Sequence, residues 1–195
     1  MPRVGTPRSA DGTAFRFRAG RWSLDLCSTL LWRHVGPVEL LEQPEDLARW
    51  LVAAGLLDEP VAAGPPELGD ALSLREAAYR LFRQSMVGAP LGAVDVAVVN
   101  RIAARAGRYP QITPTGTVAW KAEAPLEAGL AAVAADCIEL LGGPDARRLR
   151  ECAADNCAFL FVDTSRPGTR RWCAQNRCGN RQHVRDHRAR RRSAR

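Results

Sequence analysis

Apolar residues recur at three- and four-residue intervals along most of this chain, the spacing of helices that bury one face. In WSLDLCSTLLWR, Leu24, Cys27, Leu30 and Leu31 predict a helix over about residues 22–33. Pro44 suits a first helical position. Leu47, Trp50, Leu51 and Ala54 follow on one face up to Gly55, a natural stop. Residues 58–70 hold four acids, three prolines and two glycines and read as a loop. Ser73 and Glu76 then form a capping box ahead of Leu74, Ala77, Ala78, Leu81 and Phe82. Residues 93–107 give a further helix ending at Gly107, and 125–143 another that opens with Pro and closes with Gly-Gly. One or two more turns follow over 144–152. Two stretches break the period. AFRFR (14–18) alternates apolar and basic residues and predicts a short edge strand. Thr115-Gly116 within QITPTGTVAWKA predicts a hairpin over 111–122. The fold class is therefore α+β, mainly helical.

Composition narrows the setting. With 46% hydrophobic residues in 195, the chain can bury a real core. No apolar run approaches the roughly 18 residues of a membrane span, so no membrane contact is expected. The start is basic but has no apolar stretch of the secretory kind, and residues 1–12 read as a flexible lead-in. A cytoplasmic location follows, where thiols stay reduced and clustered cysteines favour metal over disulfides. Charge divides the chain. Residues 166–195 carry eleven Arg against one acid, a net +10, whereas residues 1–165 carry seventeen basic residues against twenty acids, a net −3. Such asymmetry points to a nucleic-acid contact confined to one end.

That end also holds four of the six cysteines, spaced Cys152-x4-Cys157, fifteen residues, Cys173-x4-Cys178. Two cysteine pairs on tight turns suit a closed tetrahedral zinc site. An iron–sulfur cluster shares the donor type, and two disulfides are the alternative without a metal. Neither pair has the C-x-x-C form of thioredoxin-type redox chemistry. Phe159, Phe161 and Trp172 suit packing over a metal, and Arg166-Pro167-Gly168 a turn between two short strands. A module this small has little core, so the metal supplies much of its folding free energy. Cys27 and Cys137 lie on apolar helix faces and read as core thiols. His34 reads as a surface residue. His183 and His187 read as facing solvent or phosphate, since four thiolates fill zinc's coordination sphere.

Cys178-Gly179-Asn180-Arg181 resembles the signature of the CGNR zinc-finger family of bacterial proteins. Its context agrees, from LRECAADNC through Asp163-Thr164-Ser165-Arg166 to Arg171-Trp172-Cys173. The N-terminal part resembles ABATE, the domain that accompanies this finger, at Leu24-Asp25 with Thr29, at Leu74-Arg75-Glu76-Ala77 and at Asn100-Arg101. Where the family usually has Asn before that Thr, this chain has Ser28. The resemblance implies a multihelical ABATE-like domain over 13–148 and a zinc-ribbon-like module over 149–195. It implies Cys152, Cys157, Cys173 and Cys178 as ligands of one structural zinc. It also implies a transcription regulator, often described as stress-induced, with RNA binding suggested as well.

The residues beyond Cys178 suit a basic helix capped by Asn180. Arg181, Arg185, Arg188 and Arg192 fall on one face, broadened by His183, Arg190 and Arg191. Arg170, Arg171 and Arg177 add phosphate contacts, and Asn180 and Gln182 are the amides suited to reading adenine. DNA is favoured over RNA, because the segment lacks stacking aromatics beyond Trp172. A solvated tail, an RNA-binding finger and a protein–protein adaptor are the competing readings. The body shows no G-x-S-x-G, H-E-x-x-H, Walker A or G-x-G-x-x-G motif, so no enzyme is expected. It would sense a small-molecule effector or form a homodimer. Asp25, Thr29 and Trp120 are the candidate pocket residues.

Overall fold

The structure is a computed structural model that describes residues 15–180 together with 182 and 184. Five α-helices build the body: α1 (Trp22–Cys27), α2 (Pro44–Ala53), α3 (Pro65–Met86), α4 (Ala93–Ala103) and α5 (Pro125–Gly142). Three two-stranded antiparallel ribbons join them: β1 (Leu30–Leu31) with β2 (Val38–Glu39), β3 (Tyr109–Ile112) with β4 (Val118–Lys121), and β5 (Leu149–Glu151) with β6 (Leu160–Val162). The mainly helical α+β reading holds. Helix α5 is the centrepiece and packs on α1, α2, α3 and α4. A Cβ built on Gly129 of α5 would sit 3.0 Å from Leu51 Cδ2, so glycine lets α5 approach α2 closely. Trp50, Phe15, Phe82, Leu24, Leu47 and Leu74 are fully buried in this core.

Helices α2, α4 and α5 and the β3–β4 hairpin lie where the pattern places them, although α4 stops at Ala103 rather than Gly107. Gly55 (φ 75°) ends α2, and Gly116 (φ 76°) turns the hairpin. Four expectations are corrected. The first helix ends at Cys27, not near residue 33. Ser28 Oγ and Thr29 Oγ1 turn back to donate to Asp25 O and Leu26 O at 2.8 Å, and the chain then pairs as β1. Helix α3 starts at Pro65, eight residues before Ser73. Two prolines fill its first positions, where no amide is needed, and Glu67 reaches back to accept from Gly64 N at 2.9 Å.

The segment from Phe15 to Arg18 pairs with no strand. Asp25 takes the place of a partner, its Oδ1 accepting from Arg18 N (2.9 Å) and Ala19 N (3.0 Å). The alternation survives because Phe15 is buried and Phe17 stacks on Trp50 at 5.9 Å between centroids. Lastly, residues 144–148 form one tight 3-10 turn and the chain is already extended from Leu149. The lead-in at 1–12 lies outside the described residues.

The apolar core does not stop at residue 148. Leu149, Phe159, Leu160, Phe161 and Val162 belong to the same buried cluster as the helices. Glu151 on β5 accepts from Arg83 of α3 at 2.6 Å and lies 3.1 Å from His34 Nε2, so His34 ties the two parts together.

Candidate metal centre and nucleic-acid interface

Ribbon β5–β6 presents the first cysteine pair. Cys152 N donates to Phe159 O (3.0 Å) at the end of the ladder, and Cys157 N closes a tight turn on Ala154 O (2.9 Å). The turn between strands is thus the cysteine loop itself. Arg166-Pro167-Gly168 instead follows β6 in a loop with no strand after it among the described residues, which corrects the expected placement. Asp163 shapes that loop. Buried at the end of β6, it accepts from Ser165 N (2.9 Å), Ser165 Oγ (2.6 Å) and Arg170 N (2.9 Å), and these bonds, Ser165 Oγ first, hold its carboxyl below the usual range. Arg148 Nη2 donates to Ser165 O at 2.6 Å. The loop returns to the first pair through Ala153 N to Arg171 O (2.8 Å).

The second pair flanks a wide turn. Arg177, Cys178 and Gly179 all direct their amides at Ala174 O. All four sulfurs then lie within 4.8 Å of one another. Cys157 and Cys173 Sγ are 3.8 Å apart, and Cys173 and Cys178 Sγ 3.6 Å. Sulfurs about 2.3 Å from a tetrahedral ion lie about 3.8 Å apart, so the spacing fits zinc. Cys173 N also points at Cys152 Sγ (3.4 Å), a backbone dipole that favours thiolate. Sulfurs so close cannot all carry charge unaided. Hydrogen bonds from Cys157 and Cys173 pull the Cys152 thiol down to about 2, and their position beside it pushes Cys157 up to about 12 and Cys173 up as well. A central divalent cation lets all four deprotonate together. No other group of three or more His, Cys, Asp or Glu among the described residues could hold a metal.

A family profile described as ABATE, "Putative stress-induced transcription regulator", matches residues 20–144, more than half of the chain. The chain belongs to the ABATE family. Residues 148–191 of this ABATE protein match the CGNR zinc finger, in which the four cysteines hold one structural zinc. No curated protein sequence matches it significantly.

The other predicted residues divide. Arg171, Arg177 and Asn180 are exposed around the centre, and Gln182 is half-buried. Arg170 is not free to clamp phosphate. Its guanidinium lies 4.4 Å over the Phe161 ring and donates to Trp172 O (2.9 Å) and Cys173 O, so it braces the knuckle. Asn180 does not open the helix: its backbone is already helical (φ −61°, ψ −40°), after a wide turn over Gln175–Gly179 with Ala174 as its first flanking residue. Arg181, His183, Arg185, His187, Arg188, Arg190, Arg191 and Arg192 lie outside the described residues.

The pocket residues are not brought together. Asp25 is buried and holds the Phe15–Ala19 segment; Thr29 is buried and accepts from Arg75 Nη1 (3.2 Å); Trp120 is half-exposed on the β3–β4 hairpin. The polar groups were spent on the fold, which an isolated sequence gives no means to see. Instead, Arg75 reads as part of a buried ion-pair network with Glu39 (2.6 and 2.7 Å) and Glu76 (2.8 Å), and Arg33 joins it through Glu76 (2.6 Å). Cys27 and Cys137 are buried core thiols; burial pushes Cys27 up to about 12 and Cys137 up as well, so both stay neutral.

Proposed function

We propose that this ABATE protein is a DNA-binding transcription regulator of the cytoplasm, a binding protein rather than an enzyme. The zinc finger carries the contact and the helical body senses an effector or dimerises. The observation that carries the reading is the junction of two features. A rigid four-cysteine centre is followed at once by helical backbone at residues 180, 182 and 184, inside a segment of net +10. A solvated tail needs no rigid base, whereas a helix aimed at a groove does. Guanidinium groups suit phosphate and guanine alike.

The experiment is a titration of the zinc-loaded protein against duplex DNA, duplex RNA and single strands at equal salt. Tightest binding to duplex DNA, weakening steeply with salt, supports the reading. Tighter binding to RNA would replace DNA by RNA as the ligand of the same finger. No binding to any of them would leave the basic segment as a docking site for an acidic protein.

A further inference from the structure

The arginines of this molecule sort into two populations. In the body, Arg21, Arg33, Arg49, Arg75, Arg80, Arg83, Arg101 and Arg105 each pair with a carboxylate. Arg108, Arg148, Arg150 and Arg170 donate to backbone carbonyls. Among the described residues, six guanidinium groups have neither kind of partner: Arg16, Arg18, Arg147, Arg166, Arg171 and Arg177. All but Arg147 belong to the Phe15–Ala19 segment or the finger.

Those two places meet. Arg16 lines a small hollow at the seam, with Ser28 and Trp32 of the body on one wall and Cys157 and Phe159 of the finger on the other. Ser28 Oγ lies 3.1 Å from Arg16 O, and the guanidinium lies 5.6 Å over the Trp32 ring, which fixes its direction. Trp32 has a positive φ of 49°, costly for a large side chain, and stays 37% exposed. Among the described residues, Arg18 and Arg177 and the thiols of Cys157 and Cys173 are the side chains whose charge acts most on Arg16. Arg18 and Arg177 are exposed. Like charges gathered in one place repel and cost free energy, so the fold gains little from this cluster by itself. Zinc with four thiolates has a net charge of −2, which repels phosphate, and arginines around it reverse that sign for an approaching backbone.

We infer that Arg16 and Arg18 of the body and Arg177 of the finger form one composite patch that grips the phosphate backbone of duplex DNA beside the zinc centre. The inference rests on the DNA reading above. It gives the body a direct share in binding, so that the interface is not confined to the C-terminal end.

The test is the salt dependence of duplex affinity for the full zinc-loaded chain and for R16Q, R18Q, R177Q and the control K121Q. Lys121 lies on the β3–β4 hairpin and lowers net charge equally when neutralised. Each patch variant is expected to flatten the log–log salt slope by about 0.9, uniformly across sequences, with K121Q unchanged. Zinc content and melting temperature, measured alongside, should stay at wild-type values in R18Q and R177Q, whose side chains are exposed. If wild type binds but the patch variants keep its slope, or all four variants lose slope alike, the inference is overturned and the DNA reading stands. If wild type binds no duplex, the DNA reading fails, and the inference with it.

Discussion

The helical body and the outer finger hold together by different means. The body buries Trp50, Phe82 and a row of leucines completely, and pairs its arginines with acids. Among the described residues beyond Val162, the finger has only Asp163 and Cys173 as buried side chains, and its chain is turned by hydrogen bonds to Asp163, Arg148 and Ala174. Burial builds the first region and a metal must build the second. The boundary between the two regimes falls inside the finger. Ribbon β5–β6 is part of the body's core, so dependence on the ion is expected in the knuckles.

The harshest test of that contrast is to remove the metal. Cys173→Ser, or chelation, should abolish stoichiometric zinc and erase hydrogen-exchange protection in the knuckles, from Cys152 to Cys157 and from Asp163 to Cys178. Structural zinc contributes on the order of 10 kcal/mol in small fingers, far more than those turns alone. Amides of Leu160–Val162 should stay protected, because the body folds them. Loss of protection throughout the chain would show that burial does not hold the ribbon. Trp50→Ala attacks the other side. It should cost about 3–5 kcal/mol of body stability, read as a lower denaturation midpoint. One zinc per chain should still bind at temperatures where the variant is folded.

A smaller effect tests the ion pairs. Burial pushes the Glu76 carboxyl up, but hydrogen bonds and charge from Arg33 and Arg75 outweigh it and hold the group below its ordinary value. A depressed carboxylate stabilises fully above the unfolded value of about 4.3, and its contribution is lost as pH falls through the lower folded value. Glu76→Gln should therefore cost about 1–3 kcal/mol at neutral pH and reduce the loss of stability below pH 4.3. Urea midpoints across pH for both proteins check this. An unchanged acid limb would remove Glu76 from the account.

The same contrast explains what was legible in the sequence. Long amphipathic helices announce themselves by period, so α2, α4, α5 and the hairpin at Gly116 were readable. The cysteine spacing was readable because a tetrahedral site constrains it. Short-range competition was not. Ser28 and Thr29 ended α1 by bonding to its last carbonyls, and Pro65-Pro66 started α3 inside what composition marks as a loop. Tertiary contacts were further out of reach. Nothing local says that Asp25 replaces a strand for Phe15–Ala19, or that Arg170 spends its guanidinium on Trp172 O and Cys173 O. AFRFR did carry a signal for the composite patch, since its arginines alternate with the buried Phe15 and the half-buried Phe17 and so lie on the opposite side of the segment. Only the finger's position beside them turns that alternation into a candidate surface.

The central claim is that a zinc-built finger, seated on the ABATE body, delivers a basic surface to duplex DNA. The most direct measurement is duplex affinity of the full chain at fixed low salt with zinc bound, after chelation, and after zinc is restored. The account predicts tight binding, its loss on chelation, and its recovery with one equivalent of zinc. Equal duplex affinity with and without the metal would contradict it, because the arginines would then be acting as an unstructured charge.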